Sequence, residues 1–297
     1  MGAKLILDYH TGIDHYSDGD IEDELLEIVK THKSYEKILQ KDDRWPILYH
    51  LSPIRENIIN WYPFKASSNC LEIGGGCGAI TGALCRSLDK VTTVELSKRR
   101  ASILYERHKY NDNLTIYVGN LNDIPLQKNS YNYIILNGVL EYAGMFTKTQ
   151  NPYEDFLKNI KQYLKADGEL LIAIENRYGM KYFAGAREDH TAQFFDGIEG
   201  YQKDHGIRTF GKKELEGLIE KSGLHVKEFY YPHPDYKMPL EIFSDERLPQ
   251  SKTQLLNAYN FDYDRYTLFD EAKAFEGIIE NAQFPFFANS FFVVCGV

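Results

Sequence analysis

Residues 69–81 read NCLEIGGGCGAIT, placing Glu72 two positions ahead of glycines at 74, 75, 76 and 78. A glycine turn between a strand and a helix leaves backbone N–H groups bare, and these bind carboxylate, hydroxyl or phosphate oxygens. Glu95 follows Gly74 by 21 residues. That is about where a nucleotide-binding fold places the carboxylate that accepts two vicinal ribose hydroxyls. Together these residues suit a nucleoside ligand without naming it. The spacing fits two patterns: Glu-x-Gly-x-Gly-x-Gly through 72, 74, 76 and 78, and the dinucleotide fingerprint G-x-G-x-x-G/A through Gly74, Gly76 and Ala79.

A second chemical stretch is NRYGMKYFAGAREDHTAQFFDGIEGYQKDHG, residues 176–206. A loop this long and polar inside a compact domain is more often functional than inert. It carries Asn176, Arg177, Tyr178, Lys181, Tyr182, Arg187, Glu188, Asp189 and His190. His190, with Asp189 beside it, is the candidate general base for a hydroxyl acceptor. Arg177, Lys181 or Arg187 would instead orient an acceptor that is already a carboxylate, through charge-assisted hydrogen bonds. Near the N-terminus His10 and His15 lie close to Asp8 and Asp14. No metal-ligand spacing joins them, so solvated loop histidines are expected and no metal is assigned.

These groups need a scaffold, and the apolar runs supply one. Strands are expected at 69–73, 91–95, 115–119, 131–136, 169–175, 224–230 and 290–295. Helices are expected from an Asp20 cap to about 30, over 53–61, 79–88, 97–109 and 212–222. Another should run from 152 to about 164, with Asn151 and Glu154 forming a capping box. Alternating strands and helices predict a parallel α/β sheet with its ligand crevice at the carboxyl ends of the strands. The polar loop begins where the fifth strand ends, at Glu175, and so starts at that rim. About sixty residues rich in Tyr and Phe separate the last two strands, with Tyr231 and Tyr236 in their first stretch. The expected organisation is an N-terminal helical and lid segment at 1–65, a core at 66–230, a cap insertion at 231–288 and a last core strand at 289–297.

Bulk properties narrow the function classes. The chain has 297 residues, 43% hydrophobic and 26% charged, enough to bury a full core. A net charge of −9 argues against a general nucleic-acid binder, which needs clustered Lys and Arg. The four cysteines form no C-x-x-C pair and no zinc pattern. No signal pattern or membrane-length apolar run is present, so a cytoplasmic location without membrane insertion is expected.

Taken together, LEIGGGCGAITGAL, VELS, GNLNDI, ILNGVLEYAG and IENRYGMKYFAGAREDH resemble class I S-adenosylmethionine (SAM)-dependent methyltransferases, most closely over residues 66–175. The resemblance implies a Rossmann-like seven-stranded sheet with SAM as the cofactor and S-adenosylhomocysteine as the product. It places Glu72, Gly74, Gly75, Gly76 and Gly78 around the methionine end of SAM. It puts Glu95 and Leu96 at the ribose, Asn120 and Leu121 (or Asp123) at the adenine, and Asn137, Gly138 and Val139 beside the methionine moiety. The segment before the first strand often covers the cofactor in this family, which implicates Tyr49, His50, Ser52 and Arg55. Glu141, Tyr142, Asn176, Arg177, Tyr178, Lys181, Arg187, Tyr231 and Tyr236 complete the expected acceptor-facing set.

The flanks LYHLSPIRENIINWY, YYPHPDYKMP and SDERLP resemble a bacterial subgroup encoded beside or fused to surface-glycan glycosyltransferases. The implied activity is O-methylation, with a glycan hydroxyl first and a peptide or small-molecule carboxylate as the alternative. A non-catalytic SAM-binding subunit and an NAD-dependent enzyme stand further back. The expected partner is a glycan, peptide or small-molecule acceptor.

Overall fold

The computed structural model describes residues 2–12, 19–203, 206–258 and 263–297. Asp14 and His15 lie outside the described residues. The architecture is α/β and Rossmann-like, with its strands and flanking helices falling into two compact units. One unit comprises Met1–Leu136 with Tyr163–Gly168, and the other Asn137–Gln162 with Glu169–Val297.

In the first unit β1 (Lys4–Ile6), β2 (Asn69–Ile73), β3 (Lys90–Glu95), β4 (Leu114–Val118) and β5 (Tyr131–Asn137) pair in the order β1-β4-β3-β2-β5, every pair parallel. β2 and β3 are buried on both faces over almost their whole length, as strands covered by helices on either side must be. The helix Lys98–His108 opens where the Ser97 hydroxyl accepts a hydrogen bond from Arg100 N. The N-terminal helix Ile21–Thr31 and the helix Trp45–Leu51 bury Leu25, Val29, Ile47 and Leu51 with Ile103 and Cys77.

In the second unit the 169–175 stretch of β6 (Leu164–Glu175), β7 (His225–His233), β8 (Glu241–Ser244) and β9 (Ser290–Gly296) run antiparallel in the order β6-β9-β7-β8. Residues 231–288 contribute β8 and the helices Glu271–Glu280 and Phe284–Phe287. Phe275, Phe284, Tyr231, Phe243 and His233 interlock there edge to face.

All seven expected strands are present, and β1 and β8 raise the count to nine among the described residues. Both additions are short and pair on one side only, so neither carries the long apolar run that marks a central strand. Asp20 makes no capping bond: its backbone is already helical (φ −64°, ψ −20°), whereas a capping side chain needs an extended backbone to reach back. Asn151 also makes no side-chain cap, and Glu154 pairs with Lys158 one turn on. The helix expected over 53–61 is a tighter 3-10 turn, Pro53–Ile58, and a helix the pattern did not announce precedes it at Trp45–Leu51.

The N-terminal helix is tied down by a buried ion pair: Arg100 Nε donates to Glu22 Oε1 at 2.8 Å, with Glu22 fully buried. Removing one partner of such a pair strands the other charge out of water. Glu22→Ala should therefore cost about 3 kcal/mol, read as a lower urea midpoint. An unchanged midpoint would show that the pair contributes nothing.

Candidate active site

The glycine turn of the first unit is held from beneath. Gly74 N and Gly75 N both donate to Val94 O, at 2.8 and 3.4 Å. A Cβ on Gly75 would lie 2.3 Å from Thr93 Cγ2 and 2.8 Å from Leu104 Cδ1, so no larger residue fits without displacing β3 or its helix. Gly76, at φ 53°, differs: a Cβ there would meet nothing within 4 Å, so the turn opens onto free space at this residue. Gly74 and Gly78 also have positive φ. His108 Nε2 donates to Gly78 O at 2.7 Å. Burial lowers the His108 pKa to about 4, so the ring is neutral when it makes this bond.

The two carboxylates of this region do different jobs. Glu95 accepts from Gly76 N through Oε2 (2.7 Å) and from Ser97 N through Oε1 (2.8 Å). The Leu96 backbone N–H adds a third hydrogen bond, so of the four acceptor sites of the carboxylate one remains for a further donor. Glu72 is buried, and its Oε2 accepts from both Thr81 Oγ1 (2.8 Å) and Thr93 Oγ1 (2.7 Å). It braces the turn through these hydroxyls. Leu96 and Asn120 are half-buried, Leu121 is buried, and the Asn120 side chain accepts from Asn122 N at 3.0 Å. Of the expected lid residues, the Arg55 guanidinium lies 4.0 Å from the Tyr49 ring centre, and the Ser52 hydroxyl caps the 3-10 turn.

The second unit gathers a buried charge network from four places in the chain. Glu141 sits in the short turn Leu140–Tyr142, Glu175 ends β6, Asp189 and His190 lie in the loop beyond it, and Asp235 and Lys237 follow β7. His190 Nε2 is 3.4 Å from Glu175 Oε2, and its Nδ1 is 3.1 Å from the Tyr142 hydroxyl. Lys237 Nζ bridges Glu175 Oε1 (2.8 Å) and Asp189 Oδ1 (2.5 Å). Lys181 Nζ bridges Asp235 Oδ2 (2.6 Å) and Asp189 Oδ2 (2.9 Å). Glu188 holds the loop by accepting from His190 N and Thr191 N. The carboxylate bonded to His190 is thus Glu175, while its sequence neighbour Asp189 faces two lysines and Tyr182.

The electrostatics follow from this arrangement. Burial works against the His190 charge, but Glu175 outweighs it and raises the ring to about 9, so His190 is a cation at neutral pH. Burial would also raise Glu175, yet Lys237 and His190 hold it below the usual carboxylate range. Glu141 goes the other way, pushed up by burial and then by the charge of Glu175. Glu141, Glu175 and His190 bring one ligand atom each within 4.8 Å of one another, a grouping able to hold a metal ion. A lysine ammonium already neutralises Glu175 there, so the grouping reads as an ion-pair network.

Not every expected acceptor residue joins it. Glu141, Tyr142, Lys181 and His190 do, and the Tyr236 hydroxyl lies 2.7 Å from where a Cβ on Gly138 would stand, with Glu141 Oε1 at 3.5 Å. Gly138 has φ 72° and donates to Ala173 O. Asn137 and Val139 are half-buried, and Asn137 Oδ1 has no hydrogen-bond partner. Asn176 instead donates to Phe286 O and Ala288 O, and Arg177 binds Glu214 and Gly197 O. Tyr178 stacks on Phe286, Arg187 holds Asp264, and the Tyr231 hydroxyl is shared between Lys212 and Asp245. The sequence reading passed over Glu175, Asp235 and Lys237. Glu175 alone carried a signal, a charge at the end of an otherwise apolar strand.

Burial pushes the Glu72 carboxyl from 4.5 to about 7, the charge of Glu95 adds to this, and the Thr93 and Thr81 hydroxyls oppose it. Between these values the folded protein keeps a proton that the unfolded chain has released, so stability falls as pH rises through the window. The shift corresponds to ~3 kcal/mol. Glu72→Gln, which still accepts from both threonines, should remove that slope in denaturant titrations at pH 5 and pH 8. A slope equal to that of the parent protein would mean Glu72 is ionised throughout.

Residues 71–172, about a third of the chain, match the family described as Methyltransferase domain. No curated protein sequence matches the chain. Among solved structures, a chain from the complex of the Haloferax volcanii Trm112 methyltransferase activator with a protein described as a methyltransferase aligns over 92% of this chain and 97% of its own. The TM-score is 0.52 at 15% identity, a likeness of fold. The CcbJ methyltransferase of Streptomyces caelestis aligns over 82% and 89% (TM-score 0.49, 14% identity). A SAM-dependent methyltransferase of Thermotoga maritima aligns over 88% and 97% (TM-score 0.47, 17% identity). Residues 71–172 thus form a methyltransferase domain, in a chain whose fold is like that of the Haloferax volcanii protein.

Proposed function

We propose that this chain is a methyltransferase that transfers a methyl group from SAM to an acceptor oxygen, a hydroxyl of a glycan or glycan precursor. The residues of the first unit fit the donor. The turn is open at Gly76, and Glu95 retains an acceptor position for a ribose hydroxyl. Asn120 and Leu121 are assigned to the adenine, and Leu96 to the ribose face. When bound, SAM supplies a sulfonium methyl that an oxygen can displace in line.

The acceptor assignment is carried by one observation: the cations of the polar loop that could clamp a carboxylate are already engaged, while a buried carboxyl oxygen is unpaired. Arg177 is paired with Glu214, Arg187 with Asp264, and Lys181 with Asp189 and Asp235. Glu141 Oε2 is buried and has no hydrogen-bond partner. A carboxylate acceptor needs free cations to orient it, whereas a hydroxyl needs a group to take its proton. Positioning supplies much of the remaining rate, roughly 7–11 kcal/mol for two reactants held in line. Residues 231–288, with their aromatic side chains, are assigned to acceptor binding, since sugar rings favour aromatic walls.

Incubation with SAM should add the mass of one methylene to hydroxyl-bearing sugars, with equimolar release of S-adenosylhomocysteine detected by mass spectrometry. Methylation confined to peptide or small-molecule carboxylates would move the assignment to those acids. Calorimetry that found NADH binding but no affinity for SAM or its demethylated product would end the reading.

A further inference from the structure

The buried carboxylates of the second unit are met by cations or by hydrogen-bond donors, as Glu188 is by His190 N, Thr191 N and Tyr201, with one exception among the described residues. Lys181 serves Asp189 and Asp235, Lys237 serves Asp189 and Glu175, and His190 serves Glu175. Glu141 is 1% exposed, and among the described residues its carboxyl has no ion pair and its Oε2 no hydrogen bond. A buried polar atom without a partner is destabilising, so it persists where something else offsets the loss. Its surroundings are chemical: a carboxylate oxygen of Glu175 and a ring nitrogen of His190 lie within 4.8 Å, and a Cβ on Gly138 would stand 3.5 Å from Glu141 Oε1 and 2.7 Å from the Tyr236 hydroxyl.

We infer that Glu141 is the general base of the transfer, its open Oε2 taking the proton of the acceptor hydroxyl, with His190 acting as a fixed cation beside it. This rests on the O-methylation reading above. As the acceptor oxygen forms its bond to the methyl carbon, the carbon–sulfur bond breaks with its electron pair to sulfur. Sulfur loses its positive charge, and the hydroxyl proton passes to Glu141.

His190 is poorly placed for that task. Both ring nitrogens are engaged, one by Glu175 and one by Tyr142, and the ring already holds its second proton at neutral pH. Glu141 is the reverse case, a carboxyl raised toward neutrality by burial and by the Glu175 charge, with His190 and then Lys237 pulling it down. A base works best when its pKa lies near the working pH. Each of these neighbours therefore tunes Glu141 without touching the acceptor.

The test uses the full-length chain with SAM, N-acetylglucosamine and methyl rhamnoside as acceptor probes, and turnover followed from pH 5 to pH 10. Glu141→Gln should lower kcat by roughly 10²–10⁴-fold and abolish the acid limb, the fall in turnover as Glu141 takes up a proton at lower pH, with SAM affinity by calorimetry unchanged. Glu141→Asp, which keeps the acid but withdraws it, should retain the limb at reduced rate and guards against a folding defect. His190→Gln should stay active with its limb moved to higher pH, because the cation that lowers Glu141 is gone. Parental turnover by Glu141→Gln would overturn the assignment while leaving O-methylation standing. So would loss of the limb in His190→Gln alone, or activity that vanishes with a chelator and returns with a divalent metal. Transfer to carboxylates and never to these hydroxyls would overturn the O-methylation reading and this inference together.

Discussion

The ionised carboxyl of Glu175 at zero exposure is the constraint around which the second unit is arranged. A charge taken out of water must be met by countercharge and hydrogen bonds, or it will be neutralised. Lys237 and His190 meet it, and each brings further partners: Lys237 draws in Asp189, and Asp189 draws in Lys181 and the Tyr182 hydroxyl. Four separate segments are thereby held in one register by electrostatics that no apolar packing would reproduce. Such a network favours a single arrangement of polar groups, because every alternative leaves a buried charge unmet.

The first unit solves a different problem, presenting bare backbone to a ligand while keeping the turn rigid. Glycine at 75 is imposed by the packing of β3 and its helix beneath it, and glycine at 76 by a positive φ facing open space. The residues in this one run are therefore required for different reasons. Glu95 and His108 then fasten the turn from its two sides, through Gly76 N–H and Gly78 O. Glu72, the acid that leads the motif, is spent on two threonine hydroxyls and acts through the turn's shape.

Much of the fold was legible in the chain because its signals are local. Each core strand is a short β-rich run, and the helix expected over 97–109 is present as Lys98–His108. What failed to read through was decided by backbone angles or by edges. Asp20 has the right side chain for a cap but a helical backbone, and β1 and β8 are too short to stand out from loops. Of the site, Glu95 and the glycines could be read from spacing, and Glu141 and His190 from their segments. Lys237 and Asp235 had no signal at all, since a lone Lys or Asp in a Tyr-rich stretch looks like any solvated residue.

By itself the sequence determined the strand–turn–helix at residues 69–87 and the acid at 95, because those features depend on neighbours within one βαβ unit. Tertiary structure alone decided which carboxylate meets His190. Adjacency in sequence suggested Asp189, yet successive residues in a loop point in different directions. Glu175, fifteen positions away, is the one brought within reach. Partnership between charges is set by distance and dielectric in the folded core, and a linear chain encodes neither until it has packed.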